Sequence, residues 1–116
     1  GPALVNFWYA SCAPCRVEAP DLANLSQEFS NDVDFVGVNV RDAAETAAAF
    51  ERNFNIDYPS IEGRDGKVLL EFADYVPPQA VPTTLILDDQ GRVAARVLGA
   101  VEHSTLKSLL TGVVAE

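Results

Sequence analysis

The segment FWYASCAPCRVEAP, residues 7–20, places two cysteines between an aromatic, apolar run and a helical pattern. The run covers residues 3–9 almost without interruption, which is typical of a central strand buried on both faces of a sheet. Pro14 fits the first turn of the helix that follows, because the amide that proline lacks has no partner there. The pattern therefore predicts Cys12 and Cys15 at the point where a strand ends and a helix begins.

Strand and helix patterns alternate outward from this segment. A helix is predicted over 15–30, with a kink at Pro20 because proline cannot donate to the preceding turn. Its apolar stripe is predicted to consist of Val17, Leu22, Leu25 and Phe29. The other predicted elements are strands over 33–40, 83–87 and 92–98 and helices over 43–55, 67–73 and 102–114, with Asp42 as the cap of the helix over 43–55. Residues 58–60 and 62–66 have the composition of loops.

This order of elements predicts an α/β fold in a single domain of residues 1–116. The first half of the chain, a strand, a helix and a second strand, requires a right-handed parallel crossover between the two strands. The turn at 88–91 requires an antiparallel hairpin. A four-stranded mixed sheet with helices on both faces satisfies both requirements.

The composition argues against two classes of partner. The chain has 17 Asp and Glu against 8 Lys and Arg, a net charge of −9. Nucleic-acid backbones and anionic lipid surfaces both require a basic face, so neither is an expected partner. No apolar run approaches the roughly 20 residues that cross a bilayer. No signal peptide is visible, so any targeting segment or membrane tether is expected upstream of Gly1.

The two cysteines are better explained by chemistry than by stability. A bridge between Cys12 and Cys15 closes so short a loop that it hardly constrains the unfolded chain. The free amides and the macrodipole of a helix N-terminus stabilise a thiolate, so we expect a pKa of Cys12 below the ~8.5 of a free cysteine. Cys12 is the predicted nucleophile, and Cys15, one turn later, is the predicted resolving thiol. A purely structural bridge is the alternative.

Segment 7–20 resembles the active-site segment of thioredoxin-like proteins, with its aromatic strand, Cys-x-Pro-Cys motif and helix proline. VPTTLILDDQGRV, residues 81–93, is similar to a segment of the TlpA/ResA-like (redoxin) branch. These are membrane-tethered bacterial thioredoxins linked to cytochrome c maturation and periplasmic disulfide handling. The resemblance covers essentially the whole chain in order, and it implies a thioredoxin fold with strand order 2-1-3-4.

The resemblance also implies roles for particular residues. It makes the Val81–Pro82 bond cis and places it against the cysteine sulfurs, where the Val81 backbone meets a substrate strand. Glu18 matches a glutamate of this branch and lies one turn from Cys15, so a partly buried carboxylate there can exchange a proton with that cysteine. A solvated surface glutamate is the alternative. Asn6 stands where ordinary thioredoxins have a buried aspartate, and asparagine cannot act as a base.

Predicted substrate contacts lie on either side of the cysteine pair. Thr83 and Trp8 join Val81 in this role, although Trp8 lies in a strand and suits the core equally. Ser11 replaces the tryptophan that usually precedes the first cysteine, which removes a flat aromatic cover used in docking. The loop over 75–79 precedes the active-site proline, and it either shapes a substrate groove or simply connects two elements.

The sequence thus predicts a thiol–disulfide oxidoreductase that exchanges electrons with disulfides or dithiols of partner proteins. An upstream electron-donor protein is the expected source of electrons. A reductase of the extracytoplasmic TlpA/ResA type is the leading interpretation, and a disulfide-forming oxidase of the same fold stays open. We expect a monomer, attached to a membrane only through a tether that this chain does not contain.

Metal binding and peroxide reduction are the competing predictions. A zinc site needs about four ligands, whereas the chain offers two cysteines and the distant His103, which is predicted to lie on the surface. A copper-binding, thioredoxin-like metallochaperone would need His103 near Cys12, and such proteins typically separate their cysteines by three residues. The peroxiredoxin pattern requires a proline before the reactive cysteine, and none precedes Cys12 at that distance. We therefore predict no metal and no cofactor.

Overall fold

The computed structural model describes all 116 residues. In chain order the elements are β1 (Ala3–Trp8), α1 (Ala13–Glu28), β2 (Asp34–Asn39), α2 (Ala44–Phe54), β3 (Ser60–Glu62), α3 (Lys67–Glu71), β4 (Thr83–Leu87), β5 (Val93–Leu98) and α4 (His103–Val114). None of the helices combines the length and the apolar character that a membrane span requires.

One mixed sheet connects all five strands in the order β3-β2-β1-β4-β5. The strands β1, β2 and β3 pair in parallel, whereas β4 pairs antiparallel with both β1 and β5. β1 is the central strand, and its residue Asn6 lies opposite Gly37 of β2 and Thr84 of β4. The chain that leaves the end of β1 therefore emerges between two neighbouring strands, and this is where the cysteines follow.

The prediction of a four-stranded sheet is wrong by one strand. β3 lies among residues that were predicted to be loop, and it extends the sheet at the edge beside β2. The strand has only three residues, of which Ile61 alone is apolar, so the sequence carries no alternation to detect. Pro59 and Gly63 on either side are typical loop residues. The four predicted strands keep their predicted order, as β2-β1-β4-β5.

Side chains of β1 point alternately into two layers of the core. Leu4 packs on one face with apolar residues of α1 and α4. Val5 and Phe7 pack on the opposite face, against Val76 and the apolar side of α3. Helices therefore cover both faces of the sheet. A third group, which we call the cysteine cluster, consists of Trp8, Cys12, Cys15, Ala19 and Phe50.

The buried side of α1 differs from the predicted stripe at one residue. Val17 is 71% exposed, so its assignment to the stripe is wrong. The buried side instead combines Leu22 and Leu25 with Cys15, Glu18 and Ala19, which recur at intervals of three and four residues. The helix continues from Ala13 to Glu28 through Pro20.

Asp42 does not cap α2, contrary to the prediction. The N-cap position is occupied by Ala43, whose side chain makes no capping hydrogen bond. Asp42 Oδ2 instead accepts the backbone N–H of Ala10 at 2.7 Å and the side-chain amide of Asn39 at 3.0 Å. The Asp42 carboxylate therefore binds the segment that leads from β1 to the cysteines.

Gly37 is a point of close approach beneath the cysteine cluster. A Cβ atom at this position would lie 2.9 Å from Trp8 Nε1 and closer still to Ser60 Oγ. The Trp8 indole donates to that same hydroxyl at 3.3 Å, so an added methyl group must separate the two. We expect Gly37→Ala to lower the free energy of unfolding by about 1–3 kcal/mol, measured by urea denaturation.

Gly112→Ala is the matched control for this prediction. Gly112 lies in α4, and no atom lies within 4 Å of an added Cβ there. Because alanine favours a helix over glycine, this substitution should raise the free energy of unfolding by about 0.5–1 kcal/mol. Equal effects of the two substitutions would contradict the close approach at Gly37.

Candidate active site

The two cysteines form a disulfide at the start of α1. Their Cα atoms are 5.2 Å apart. Cys12 occupies the N-cap position in an extended conformation, and its Sγ accepts the backbone N–H of Cys15 at 3.2 Å. The first turn of α1 contains no acidic residue. The sulfur of Cys12 therefore lies where the unpaired amides of a helix N-terminus favour negative charge.

A cis-proline segment faces the disulfide. The Val81–Pro82 peptide bond is cis, as the resemblance implies. The Val81 carbonyl oxygen lies 3.9 Å from Cys12 Sγ, although 69 residues separate them in the chain. Pro82 is buried, and Val81 is partly buried. The fold thus brings the backbone of Val81 beside the first cysteine.

The surroundings of the two sulfurs differ although their burial does not. Cys12 and Cys15 are each 2% exposed. Cys12 faces the Val81 carbonyl, whereas Cys15 lies one turn further into the helix and lines a small cavity. The cavity volume is about 10 Å³, which is close to the minimum that holds one water molecule. Asn6 and Tyr58 are also among the residues that line it.

Glu18 is buried on the same side of α1 as Cys15. It is 1% exposed, which rules out a solvated surface glutamate. Its carboxylate oxygens accept the Asn6 side-chain amide at 2.8 Å and the Val101 backbone N–H at 3.2 Å. Burial raises the pKa of Glu18 from 4.5 to about 7, even though both hydrogen bonds act in the opposite direction.

Asn6 connects Glu18 to the sheet. Its amide also donates to Thr84 Oγ1 at 3.1 Å, so one side chain of β1 holds groups from α1 and β4 together. Asn6 is itself buried and cannot ionise. It therefore orients the carboxylate of Glu18 without competing for its proton.

Tyr58 is a residue of the site that the sequence analysis missed. Burial raises the pKa of its phenol, and the negative charge of Glu18 raises it further. The phenol therefore stays protonated beside the cavity that Cys15 also lines. Tyr58 lies in a loop and shows no periodicity, so no pattern in the sequence marked it.

Two predicted substrate contacts lie in the core instead of on the surface. Trp8 is 5% exposed, its ring packs on Phe50 at 4.6 Å between centroids, and its indole donates to Ser60. Thr83 is 0% exposed, and its hydroxyl donates to the Ala80 carbonyl. Because both side chains face inward, their positions give no support to a contact with substrate.

His103 is the first residue of α4, and its side chain is partly exposed, so the structure does not contradict the predicted surface position. It does not join the two cysteines in a group of three or more His, Cys, Asp or Glu side chains that is able to hold a metal ion, and the structure contains no such group.

Comparison with known proteins relates this site to a family. The sequence matches the Redoxin family over residues 1–111. The thiol:disulfide interchange protein HelX of Rhodobacter capsulatus is 33% identical over 104 residues, covering 89% of this chain and 55% of that protein. The thiol-disulfide oxidoreductase ResA of Bacillus subtilis is 30% identical over 104 residues, covering 89% of this chain and 56% of that protein.

A solved structure of a secreted thiol-disulfide isomerase from Corynebacterium glutamicum has a similar fold. It superposes with a TM-score of 0.91 at 32% identity, covering 99% of this chain and 71% of that one. This chain spans little more than half the length of HelX and ResA. The family match nevertheless runs over both cysteines and the cis-proline segment, and on that basis the chain belongs to the redoxin family.

Proposed function

We propose that this chain is a thiol–disulfide oxidoreductase that exchanges electrons with disulfides of partner proteins through Cys12 and Cys15. The observation that carries the proposal is the position of the disulfide, at the N-terminus of α1 and beside the Val81 carbonyl. A helix N-terminus stabilises the thiolate that must attack and leave. Membership of the redoxin family supports the same chemistry.

Reduction of a partner disulfide proceeds by two exchanges. The Cys12 thiolate attacks one sulfur of the partner, which forms a mixed disulfide and releases the partner's other sulfur as a thiolate that takes up a proton. Cys15 loses its proton and attacks Cys12 Sγ, which forms the Cys12–Cys15 disulfide and releases the partner's second thiolate. The partner gains two electrons from the cysteine pair and takes up two protons as its thiolates become thiols. Cys15 releases one proton, and the solvent supplies the other because Cys12 reacts as the thiolate.

Glu18 supports the second exchange as the proton acceptor for Cys15. The two residues lie one turn apart on the buried side of α1. With a pKa of about 7, Glu18 is present in both protonation states near neutral pH, so it is able to take a proton from the thiol and return it in the reverse reaction. Asn6 holds the carboxylate in place throughout.

Partner proteins bind across the Val81 backbone. An extended segment of the partner pairs with the main chain at Val81, which brings its sulfur to Cys12, 3.9 Å from the Val81 oxygen. Pro82 fixes the path of the chain at this point. Backbone pairing carries little sequence preference, so side chains around the pair must supply any selectivity.

The biological role we propose is reduction outside the cytoplasm. The structural neighbour from Corynebacterium glutamicum is a secreted thiol-disulfide isomerase, which supports this setting. A dithiol protein supplies the electrons by the reverse of the two exchanges. We propose that residues 1–116 act as one domain and as a monomer.

A turnover assay tests the proposed activity. Dithiothreitol serves as the reductant and insulin as the disulfide-bonded substrate. We expect substoichiometric amounts of the chain to accelerate the reduction of insulin above the rate with dithiothreitol alone. A rate equal to that of dithiothreitol alone would show that the pair does not act on protein disulfides.

A further inference from the structure

We propose that two arginines beside Cys12 select partners whose reactive cysteine is flanked by acidic residues. This inference rests on the proposed function and concerns the partner class of the same site. The two residues are Arg16 at the start of α1 and Arg41 after β2. Both side chains are exposed, and both contact the segment that leads from β1 to Cys12.

Arg16 lies against this segment from the side of α1. Its Nη1 atom donates to the Ala10 carbonyl at 3.5 Å. Its guanidinium carbon lies 5.3 Å from the centre of the Phe54 ring, within cation–π range. These two contacts place the Arg16 guanidinium beside Ala10, two residues before Cys12.

Arg41 lies against the same segment from the side of β2. Its guanidinium carbon is 3.7 Å from the centre of the Tyr9 ring. Tyr9 in turn accepts the backbone N–H of Cys12 through its carbonyl at 3.3 Å. The two guanidinium groups therefore contact Tyr9 and Ala10, which precede Cys12 in the chain by three and two residues.

Neither arginine is neutralised by an ion pair. The three ion pairs of the structure join Gly1 with Asp89, Arg92 with Asp88, and Lys107 with Glu28. Asp42 is the acidic residue that contacts this segment. Its Oδ2 atom already accepts the N–H of Ala10 and the side-chain amide of Asn39. Apart from Arg16 Nη1, which donates to the Ala10 carbonyl, the donors of both guanidinium groups thus remain available to carboxylates of a partner.

The placement of Arg16 opposes the local preference of the helix. A cation in the first turn is unfavourable because the macrodipole is positive there, and α1 has no acidic residue in that turn to offset it. Departures from local preference are expected at functional sites. The helix end and both arginines therefore place positive charge around Cys12, against the negative charge of Asp42 on the same segment.

The local charge dominates over the net charge of −9 at contact distance. At physiological ionic strength the Debye length is about 8 Å, so remote carboxylates are largely screened. A partner carboxylate that touches Arg16 or Arg41 is screened far less. Selectivity therefore depends on acidic residues adjacent to the partner's cysteine and not on the partner's overall charge.

A pair of peptides tests this inference. Each contains the same disulfide, flanked by glutamate in one peptide and by lysine in the other. The rate constant for reduction by the reduced chain is measured at 150 mM salt and divided by the rate constant with dithiothreitol, which removes the difference in the peptides' own reactivity. We expect the corrected rate to favour the glutamate peptide roughly 2- to 30-fold, the range of two exposed ion pairs.

Two variants test whether the preference comes from the two arginines or from other charged residues. R16Q/R41Q should lose the preference, because any change in the Cys12 thiolate affects both peptides equally and cancels in the ratio. K107Q, which removes a cation from α4, should keep it. A preference for the lysine peptide, or an unchanged ratio in R16Q/R41Q, overturns the inference. Failure to reduce either peptide would instead overturn the proposed activity itself.

Discussion

We expect Cys12→Ser to abolish disulfide exchange and Cys15→Ser to stop the reaction after its first step. Cys12 faces the Val81 carbonyl at the start of α1, so under the proposed function it is the sulfur that a docked partner reaches. Cys15 lies one turn further along α1, away from the Val81 carbonyl, and is as buried as Cys12. Without Cys15 the mixed disulfide on Cys12 has no resolving thiol and should accumulate.

Mass spectrometry of the trapped complex distinguishes the two cysteines. Each variant is reduced, mixed with a disulfide-bonded peptide and quenched with acid. We expect a covalent adduct with Cys15→Ser and none with Cys12→Ser. An adduct on Cys15 in the Cys12→Ser variant would reverse the assignment of nucleophile and resolving thiol, and full turnover by Cys12→Ser would mean that the pair has another purpose.

Glu18 makes the stability of the fold depend on pH. Its pKa is raised from 4.5 to about 7 in the folded chain, chiefly by burial. Between these values the folded chain holds a proton that the unfolded chain has lost, so the free energy of unfolding falls as the pH rises. The contribution is fully present below pH 4.5 and is lost by about pH 7, and the total loss is about 3 kcal/mol.

Glu18→Gln should remove this fall. The amide cannot ionise, although it loses one of the two hydrogen bonds that the carboxylate accepts, so the informative quantity is the slope with pH and not the absolute stability. Urea denaturation of the oxidised protein from pH 4.5 to 8 measures it while the cysteines cannot titrate. Glu71→Gln, at an exposed glutamate of α3, is the matched control. Equal slopes for both variants would contradict a buried, protonated Glu18.

The sequence is informative wherever the deciding contacts are local. Cys12 and Cys15 lie between a buried strand and a helix, and adjacent residues determine both elements. Glu18 lies three residues after Cys15, so helical spacing alone puts the two on one face. Val17 matches the apolar stripe by residue type, but the buried side of α1 follows Cys15 and Glu18, and Val17 lies off that side.

Contacts between residues that are far apart in the chain could not be predicted from the sequence. The amide of Asn6 reaches Thr84, 78 residues away, and Glu18 accepts from Val101, 83 residues away. Neither contact leaves a periodic pattern. The sequence predicts Asp42 as a helix cap because aspartate is common at N-cap positions. In the fold its carboxylate accepts the N–H of Ala10 instead. β3 forms because β2 presents a free edge to it, and three residues carry no pattern of their own.

The reduction potential of the Cys12–Cys15 pair tests the central claim most directly. The protein is equilibrated with a series of dithiothreitol or glutathione buffers, and the fraction of disulfide is measured after acid quenching. We predict one reversible two-electron couple at roughly −250 mV or lower, the range of thioredoxin-like reductants. A value near roughly −120 mV would contradict the reducing role, since pairs there donate disulfides. The absence of any reversible couple would contradict a redox function altogether.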